Sequence, residues 1–371
     1  MNFIVTTENF LAGLKRVMNA VSSKPILPIL TNILIEAADG QLYLTSYDTE
    51  MRIKTAVTAV VMNEGAITLQ AKKLLDIISA LPSGDIEVFN DVETPENVRI
   101  CCQKSKFLMH GLSAAGYPEA PVFNEEWGFT IAGKELVDSL MKVSYARSSD
   151  VSRESLNGIL CSIQSGMRTV AATDGRRLAL VERPLEGDES SLPTRDGDFI
   201  MPYSVVCELV KSIDQNKEVK VHLAGSMAVF ETGDTTIMCK LVEKQYPNYR
   251  SVIAANFNNK VSIPRSLFIE VLKRMRIVIN ENESNNGITL ELNGSQMMIS
   301  ARSNEFGEAN ESIDVDYSGE PVSISFNPQY IADPLKTLSC DVFSICFNDC
   351  FTPVEITGDP GFIYILMPLR P

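Results

Sequence analysis

The segment RSLFIEVLKRMRIVI, residues 265–279, shows how this chain folds, because its apolar residues recur at the spacing of one face of a helix. Those residues are Leu267, Phe268, Val271, Leu272, Met275 and Val278. The same spacing occurs earlier, at residues 9–21 and 134–147. The apolar residues of these two earlier copies are Phe10, Leu11, Leu14, Val17, Met18 and Val21, then Leu136, Val137, Leu140 and Val143. The sequence therefore predicts an internal repeat in which each copy opens with an amphipathic helix.

Two further markers follow in each copy, in the same order and at nearly constant intervals. A second helix is predicted at residues 72–81, 203–213 and 328–338, each after a short strand. Each copy then closes on an aromatic residue or Met before proline: Tyr117-Pro118, Tyr246-Pro247 and Met367-Pro368. Amphipathic helices are common in any long chain, so chance recurrence is the alternative. The fixed order of three markers favours a true repeat.

The segments between the predicted helices resemble antiparallel strands joined by tight turns. Apolar runs at residues 32–48, 156–184 and 287–303 are interrupted by hairpin-turn dipeptides. These dipeptides are Asp39-Gly40, Asp174-Gly175 and Asn293-Gly294. We therefore predict an α+β fold of three tandem copies, each with two helices on an antiparallel sheet. The predicted domains are residues 1–127, 128–256 and 257–371.

The composition of the chain is that of an ordinary globular protein. It has 371 residues, of which 45% are hydrophobic. No apolar run approaches the roughly 18 residues of a membrane span, and no signal peptide is apparent. Eight cysteines occur without a CxxC pair, which favours free thiols in a reducing compartment. We expect a cytoplasmic protein with no membrane partner.

The distribution of charge is more informative than its sum. The net charge is −14, yet the six predicted helices hold thirteen basic and only six acidic residues. If the helices share one side of the sheets, that side is basic and attracts phosphates without reading sequence. The alternative is that Lys and Arg are simply good residues for the exposed surface of a helix.

No group of residues in the sequence suggests catalysis. The only histidines are His110 and His222, both in strand-like runs, and no phosphate-binding glycine motif is present. Asp174 is most simply a turn residue. We therefore expect no catalytic residue, no metal and no cofactor.

Several motifs together resemble one family along the whole chain. They are SKPILPILTNILIEAADG (23–40), LNGILCS (156–162), VAATDGRRLALVERP (170–184), KLVEKQYPNYRSVI (240–253), FNPQYIADPL (326–335) and YILMPLRP (364–371). As a set they resemble the bacterial DNA polymerase III beta subunits, the sliding clamps. The resemblance implies a head-to-tail homodimer that forms a ring of six similar domains, with the helices inside.

The function that this resemblance implies is a processivity factor. The ring encircles double-stranded DNA without sequence specificity and is a non-catalytic subunit of a DNA-directed DNA polymerase complex. Its implied partners are the catalytic subunit of DNA polymerase III, the clamp loader, and other polymerases and repair proteins that have a short hydrophobic clamp-binding motif. The alternatives are a clamp paralogue with a non-replicative scaffold role and an enzyme of unrelated α+β fold.

The resemblance also implies a partner-peptide pocket between the second and third domains. Its residues are Leu156, Gly158, Thr173, Gly175, Arg176, Arg177, Leu178, Pro247, Val252, Tyr330, Ile365, Leu366, Met367, Pro368, Leu369 and Arg370. Apolar residues from distant segments would form a groove with a polar rim, which suits a short hydrophobic peptide. The chain departs from the family at Ser251, where the family has Arg.

Two more sets of residues follow from the predicted helices and the resemblance. The DNA-facing candidates are Lys15, Lys24, Lys72, Lys73, Lys142, Arg147, Arg153, Lys273, Arg274 and Arg276. The dimer-interface candidates are Phe107 and Met109 on one side and Ile277 and Val278 on the other. Arg153-Glu154-Ser155 replaces a Tyr pair of some members, and Tyr203 stands where some members are basic.

Overall fold

The structure is a computed structural model that describes residues 1–22, 26–91, 93–187, 191–253, 256–279 and 287–370. The α-helices of these residues are α1 (Thr7–Val17), α2 (Ala71–Ala80), α3 (Gly133–Val143), α4 (Glu154–Asn157), α5 (Tyr203–Ser212), α6 (Arg265–Met275) and α7 (Pro328–Thr337). Six of them are the predicted helices, which are confirmed to within a few residues. The short helix α4 was not predicted. None of the described helices is long and apolar enough to cross a membrane.

Antiparallel strands make up most of the remainder. In the first part of the chain they are β1 (Asn2–Thr6), β2 (Asn32–Ala38), β3 (Gln41–Tyr47), β4 (Met51–Val57), β5 (Val60–Asn63), β6 (Gly65–Gln70), β7 (Asp85–Asn90), β8 (Asn97–Cys102), β9 (Ser105–His110) and β10 (Leu112–Ser113). The middle part holds β11 (Trp127–Ala132), β12 (Ile159–Gln164), β13 (Met167–Thr173), β14 (Arg177–Pro184), β15 (Gly197–Met201), β16 (Glu218–Ala224), β17 (Met227–Thr232) and β18 (Thr235–Lys240). The last part holds β19 (Asn259–Pro264), β20 (Ile288–Asn293), β21 (Gln296–Ser303), β22 (Gly307–Asp314), β23 (Val322–Phe326), β24 (Val342–Phe347), β25 (Val354–Thr357) and β26 (Phe362–Leu366).

The predicted turns are confirmed, and the chain conformation explains their residues. Asp39 and Gly40 both have positive φ, at 52° and 71°, as a two-residue hairpin between β2 and β3 requires. Gly175 between β13 and β14 has φ 91°, and Gly294 between β20 and β21 has φ 58°. Glycine adopts these angles without strain because it has no Cβ.

The described part of the chain forms two compact units. The first consists of Met1–Leu136, Gly187–Arg195 and Cys207–Leu241. It contains a five-stranded sheet, ordered β5-β1-β7-β8-β9, and a nine-stranded sheet, ordered β10-β6-β2-β3-β4-β18-β17-β16-β11. Helices α1 and α2 contact each other, and α1 lies on β3 and β4. Of the predicted apolar stripe, Phe10, Leu14 and Val17 are buried and the other three residues are half-buried, and Phe10 packs edge-to-face on Phe3.

The second unit consists of Val137–Glu186, Asp196–Val206 and Val242–Pro371. Its eight-stranded sheet is ordered β15-β12-β13-β14-β26-β25-β24-β19, and its four-stranded sheet is ordered β22-β21-β20-β23. Helices α6 and α7 contact each other, and α7 lies on β26. The pairing of β14 with β26 brings residues 177–181 beside residues 362–366, where the predicted pocket lies.

Candidate functional site

The floor of the predicted pocket is one face of the eight-stranded sheet. Leu178 in β14 lies opposite Ile365 in β26, and both side chains are buried. They belong to an apolar cluster that crosses four neighbouring strands and continues onto β15. Its buried members are Leu160, Ala171, Leu178, Leu180, Ile200 and Ile365. Alternate residues of adjacent strands point to the same face, so the apolar runs of these strands build a continuous surface.

The segment after β18 packs on this face and forms one wall. Its partly buried residues Val242, Tyr246, Tyr249 and Ile253 contact the cluster. The Tyr246 hydroxyl accepts a hydrogen bond from the backbone N–H of Thr173, at 3.1 Å, and burial raises the pKa of Tyr246. Tyr246 was not among the predicted pocket residues, although the sequence shows it in the repeated Tyr-Pro pair.

Exposed apolar side chains lie next in the chain to residues of this surface, on two segments. Val252 is 46% exposed and Met367 is 39% exposed, whereas Leu366 is fully buried. The N–H of Met367 donates to the carbonyl of Arg176 at 3.0 Å, which extends the β14–β26 pairing by one residue. We call the surface formed by Leu178, Ile365, Val252 and Met367 the groove.

The turn between β13 and β14 is hydrogen-bonded to Met367 of the groove through Arg176 and is held by Asp174. One carboxylate oxygen of Asp174 accepts the backbone N–H groups of Arg176 and Arg177, at 2.8 and 3.1 Å. The other accepts Arg177 Nε at 3.0 Å. The Thr173 hydroxyl donates to the Arg177 carbonyl at 2.6 Å. Asp174 is thus a turn residue, as predicted, and it also anchors an arginine.

Arg177 ties this turn to α7. Its Nη1 donates to Asp333 at 2.8 Å and its Nη2 to the carbonyl of Tyr145 at 2.6 Å. The guanidinium lies 4.1 Å from the centre of the Tyr330 ring. Burial disfavours the charge of Arg177, but Tyr364 and Asp333 outweigh burial and raise its pKa. Arg177 therefore stays charged and positions Tyr330 at the pocket.

The remaining pocket residues lie around this core. Leu156 in α4 is buried, and a Cβ on Gly158 would lie 2.5 Å from Ile200, so close packing requires glycine there. The N–H of Leu369 donates to the carbonyl of Ser325 in β23 at 2.8 Å. Further exposed positions among the predicted pocket residues are Gly175, Arg176, Pro247, Leu369 and Arg370, and Pro368 is half-buried.

A second feature is the basic surface of α1 and α2. Lys15 and Arg16 on α1 are exposed, as are Lys72 and Lys73 on α2. No carboxylate of the described residues pairs with these four side chains within 4.0 Å. The two helices contact each other, so both add unpaired positive charge to the surface of the first unit, and such charge attracts phosphates.

One predicted DNA-facing residue is wrong. Lys142 in α3 is only 3% exposed and forms ion pairs with Asp359 at 2.7 Å and Asp138 at 3.0 Å. A buried ammonium group needs such carboxylates, so this side chain is part of the interior and is not available to phosphates. Lys24 lies outside the described residues.

Other members of that set are exposed but compensated. Arg274 forms a two-pronged pair with Glu311, at 2.6 and 2.9 Å, and Lys273 pairs with Glu270 at 2.7 Å. Arg276 is half-buried at the end of α6, where no described carboxylate pairs with it. The basic surface of α6 is therefore weaker than the sequence suggests.

The departures from the family pattern have local partners. Arg147 stacks on Tyr203 with the guanidinium 3.6 Å from the ring centre. Glu154 lies 3.8 Å from Lys244, and the Ser251 hydroxyl donates to the carbonyl of Asn248 at 2.7 Å. Tyr203, Glu154 and Ser251 thus each contact another residue of the second unit.

The dimer-interface candidates differ in exposure. Ile277 is 78% exposed and Phe107 on β9 is 37% exposed. Val278 is half-buried, whereas Met109 is only 8% exposed and offers little surface to a partner. Strands β9 and β22 are the edges of their sheets, so each has unpaired backbone groups.

Comparison with known proteins identifies the family of the chain. Three models of the DNA polymerase III beta subunit match it: the N-terminal domain at residues 1–121, the central domain at 130–248 and the C-terminal domain at 250–370. The beta sliding clamp of Escherichia coli K12 is 31% identical over 374 residues, which cover 100% of both chains. That of Chlamydia muridarum is 27% identical over 370 residues, covering 100% of this chain and 99% of the relative.

Solved structures show the same likeness. The DNA polymerase sliding clamp of Bacillus subtilis matches with a TM-score of 0.93 and 26% identity, covering 100% of this chain and 99% of the other. The Pseudomonas aeruginosa clamp bound to griselimycin matches with a TM-score of 0.92 and 27% identity, covering 100% of both. The chain therefore belongs to the family of bacterial DNA polymerase III beta subunits, the beta sliding clamps.

Proposed function

We propose that this chain is the protomer of a sliding clamp, which encircles duplex DNA without reading its sequence and tethers the replicative polymerase for processive synthesis. The observation that carries the proposal is family membership along the full length of the chain. The clamp acts as a non-catalytic scaffold on which other replication and repair proteins also dock. The three-domain division at residues 127 and 256, and a cytoplasmic location, stay predictions.

The proposed DNA contact is electrostatic. The exposed residues Lys15, Arg16, Lys72 and Lys73 supply positive charge from two adjacent helices, and no element among them is suited to reading base edges. Arg147, Arg153 and Arg276 are further candidates, whereas the buried Lys142 is not. Affinity for DNA should therefore fall steeply with salt and vary little with sequence.

The proposed ring is a head-to-tail homodimer. It would pair strand β9 of one copy with strand β22 of the other, so that neither strand remains an unpaired sheet edge. Lys104 and Lys106 flank or lie on β9, while Glu308 and Asp314 lie on β22, so the two edges carry opposite charge. Phe107 and Ile277 supply exposed apolar surface near these edges.

The proposed partner site is the groove. A short Leu- or Phe-rich peptide would place its apolar side chains between Val252 and Met367, above the floor of Leu178 and Ile365. The clamp loader and the polymerases would each present such a peptide and exchange on the same site. Burial of two side chains at about 1.5–3 kcal/mol each, less the ordering of the peptide, predicts roughly micromolar affinity.

Retention on DNA of different topology tests the function. After loading by a clamp loader, the protein should stay on nicked circular DNA during gel filtration and leave the same DNA once it has been made linear. The linear substrate with both ends blocked by bound protein is the control, and it should restore retention. Equal loss from circular and open linear DNA would contradict the proposal.

A further inference from the structure

Three Asn-Gly pairs occur in the sequence, and two of them lie in opposite structural surroundings. One is Asn157-Gly158, at the end of α4, and the other is Asn293-Gly294, at the turn between β20 and β21. Asn286 of the third pair lies outside the described residues. A leucine precedes each of the two described asparagines, so nearly the same local sequence occurs in two different structures.

An Asn-Gly pair can react within its own main chain. The backbone nitrogen of the glycine loses its proton to solvent and attacks the side-chain carbonyl carbon of the asparagine. The new C–N bond closes a five-membered succinimide, while the C–N bond of the side-chain amide breaks and ammonia leaves. Water then opens the ring to aspartate, or to isoaspartate, in which the main chain runs through the former side-chain carbonyl. Glycine favours the attack because no Cβ shields its nitrogen.

The pair in α4 is protected from this reaction. The side-chain amide of Asn157 donates to the carbonyl of Ser148 at 2.8 Å. The N–H of Gly158 donates to the carbonyl of Glu154 at 3.2 Å. Gly158 is also buried, and a Cβ on it would lie 2.5 Å from Ile200. Both reacting groups are hydrogen-bonded and closely packed, so the succinimide can form only after α4 has unfolded locally.

The pair at the β20–β21 turn lacks this protection. Asn293 and Gly294 are both exposed, and no described residue forms a hydrogen bond with the Asn293 side chain or the Gly294 N–H. The pairing of β20 with β21 ends at Asn293 and Gln296, so Gly294 lies beyond it. A Cβ on Gly294 would meet nothing within 4 Å, which leaves room for the succinimide ring.

We propose that Asn293 is a site of covalent modification, where the folded protein deamidates to aspartate and isoaspartate. The product changes the four-stranded sheet in two ways. Isoaspartate lengthens the main chain by one carbon at the residue that pairs with Gln296. The new negative charge lies in one cross-strand row with Asp314 of β22, which faces Gln296 from the other side. Both changes should weaken the pairing at this end of the sheet.

The test follows label from heavy-oxygen water, because hydrolysis of the succinimide leaves one water oxygen in the product. The full chain is incubated folded at mildly alkaline pH, then cleaved in ordinary water after Glu291, which separates Asn293 from Asn286. Mass spectrometry should find more than about tenfold as much label at Asn293 as at Asn157, since Asn157 reacts only after local unfolding. An isoaspartyl methyltransferase should methylate the fragment that contains Asn293, and Asn293→Gln should remove both signals.

Urea provides the matched control, since both pairs are exposed in the unfolded chain. Label at Asn293 and Asn157 should then become nearly equal. Equal label at the two residues in the folded protein would overturn the inference, and an unchanged excess at Asn293 in urea would assign the difference to sequence instead of structure. The incubated protein should also unfold at a lower urea concentration than incubated Asn293→Gln. Equal midpoints would contradict the expected effect on the sheet.

Discussion

Buried charged residues of the second unit make its stability depend on pH. Asp359 accepts the N–H of Ser339 at 3.0 Å and that of Cys340 at 2.9 Å, and it pairs with Lys142 at 2.7 Å. Burial alone would raise the pKa of Asp359, but Lys142 and the backbone N–H groups outweigh burial and lower it below its ordinary 3.8. The carboxylate therefore contributes stability above that value and loses it as the pH falls through the lower folded pKa.

Replacing Asp359 with Asn should expose this contribution. The Lys142 ammonium would lose its shortest ion pair inside the protein, so we expect a loss of about 3 kcal/mol in the free energy of unfolding near neutral pH. The decline of stability below about pH 4 should become shallower than in the unaltered protein. Urea unfolding between about pH 7 and about pH 3 measures both.

The matched control is Glu270→Gln, which removes a carboxylate from an exposed pair with Lys273. Solvent screens that pair, so unfolding should change little. An Asp359→Asn protein as stable as Glu270→Gln at neutral pH would show that the buried pair has no net stabilising effect.

The exposed rim residues give a cleaner test of the groove than its buried floor does. Met367→Ala should leave the unfolding midpoint unchanged, because the side chain is 39% exposed, and should weaken binding of a hydrophobic peptide about tenfold, because it removes contact area. Calorimetry measures the affinity. Met298→Ala is the control, since Met298 on β21 is 44% exposed and lies outside the groove residues. Equal affinity of the two variants would place the peptide elsewhere.

At the scale of elements, the pairing of β14 with β26 creates the site. Gly361, just before β26, has φ 71°, and a Cβ there would lie 2.1 Å from the carbonyl oxygen of Glu182 in β14. The carbonyl of Gly361 also accepts the N–H of Glu182 at 2.8 Å. A side chain at this position must therefore push the two strands apart.

Gly361→Ala should lower the free energy of unfolding by more than about 2 kcal/mol and weaken peptide binding, since the register of Leu178 and Ile365 depends on this pairing. Gly294→Ala is the control for the backbone angle alone. Gly294 has φ 58°, but a Cβ there meets nothing within 4 Å, so we expect a loss of only about 1 kcal/mol. If urea unfolding gives the same loss of free energy for Gly361→Ala and Gly294→Ala, small shifts of the strands relieve the clash.

The elements were largely predictable, whereas the partners of individual side chains were not. The apolar spacing of α1 and α6 predicted most of their buried residues, although Leu267 is 40% exposed. The dipeptide Asn293-Gly294 predicted a hairpin. Both signals are local in sequence. Lys142 was assigned to the outside because its carboxylate partner Asp359 is distant in the chain. The role of Tyr246 was hidden for the same reason, since its hydrogen bond is to Thr173.

At the scale of the whole molecule, the proposed dimer depends on exposed apolar side chains such as Ile277. Ile277→Asp should convert the proposed dimer to a monomer at micromolar concentration, because a charge would be buried at the interface. Sedimentation velocity measures the mass. Val122→Asp places the same charge on an equally exposed side chain and should leave the dimer intact. A dimer that survives Ile277→Asp would mean that the interface uses other residues.

The nine-stranded sheet also affects how the chain folds while the ribosome synthesises it. Its centre joins β4 to β18, where Ile53 faces Ile237 and the hydroxyls of Thr55 and Thr235 lie 2.9 Å apart. These contacts have a high contact order, so they form slowly and only after β18 has been synthesised. Until then β4 is an open edge with apolar residues, which is a template for aggregation. Production of this protein should therefore depend on the chaperones that bind nascent chains.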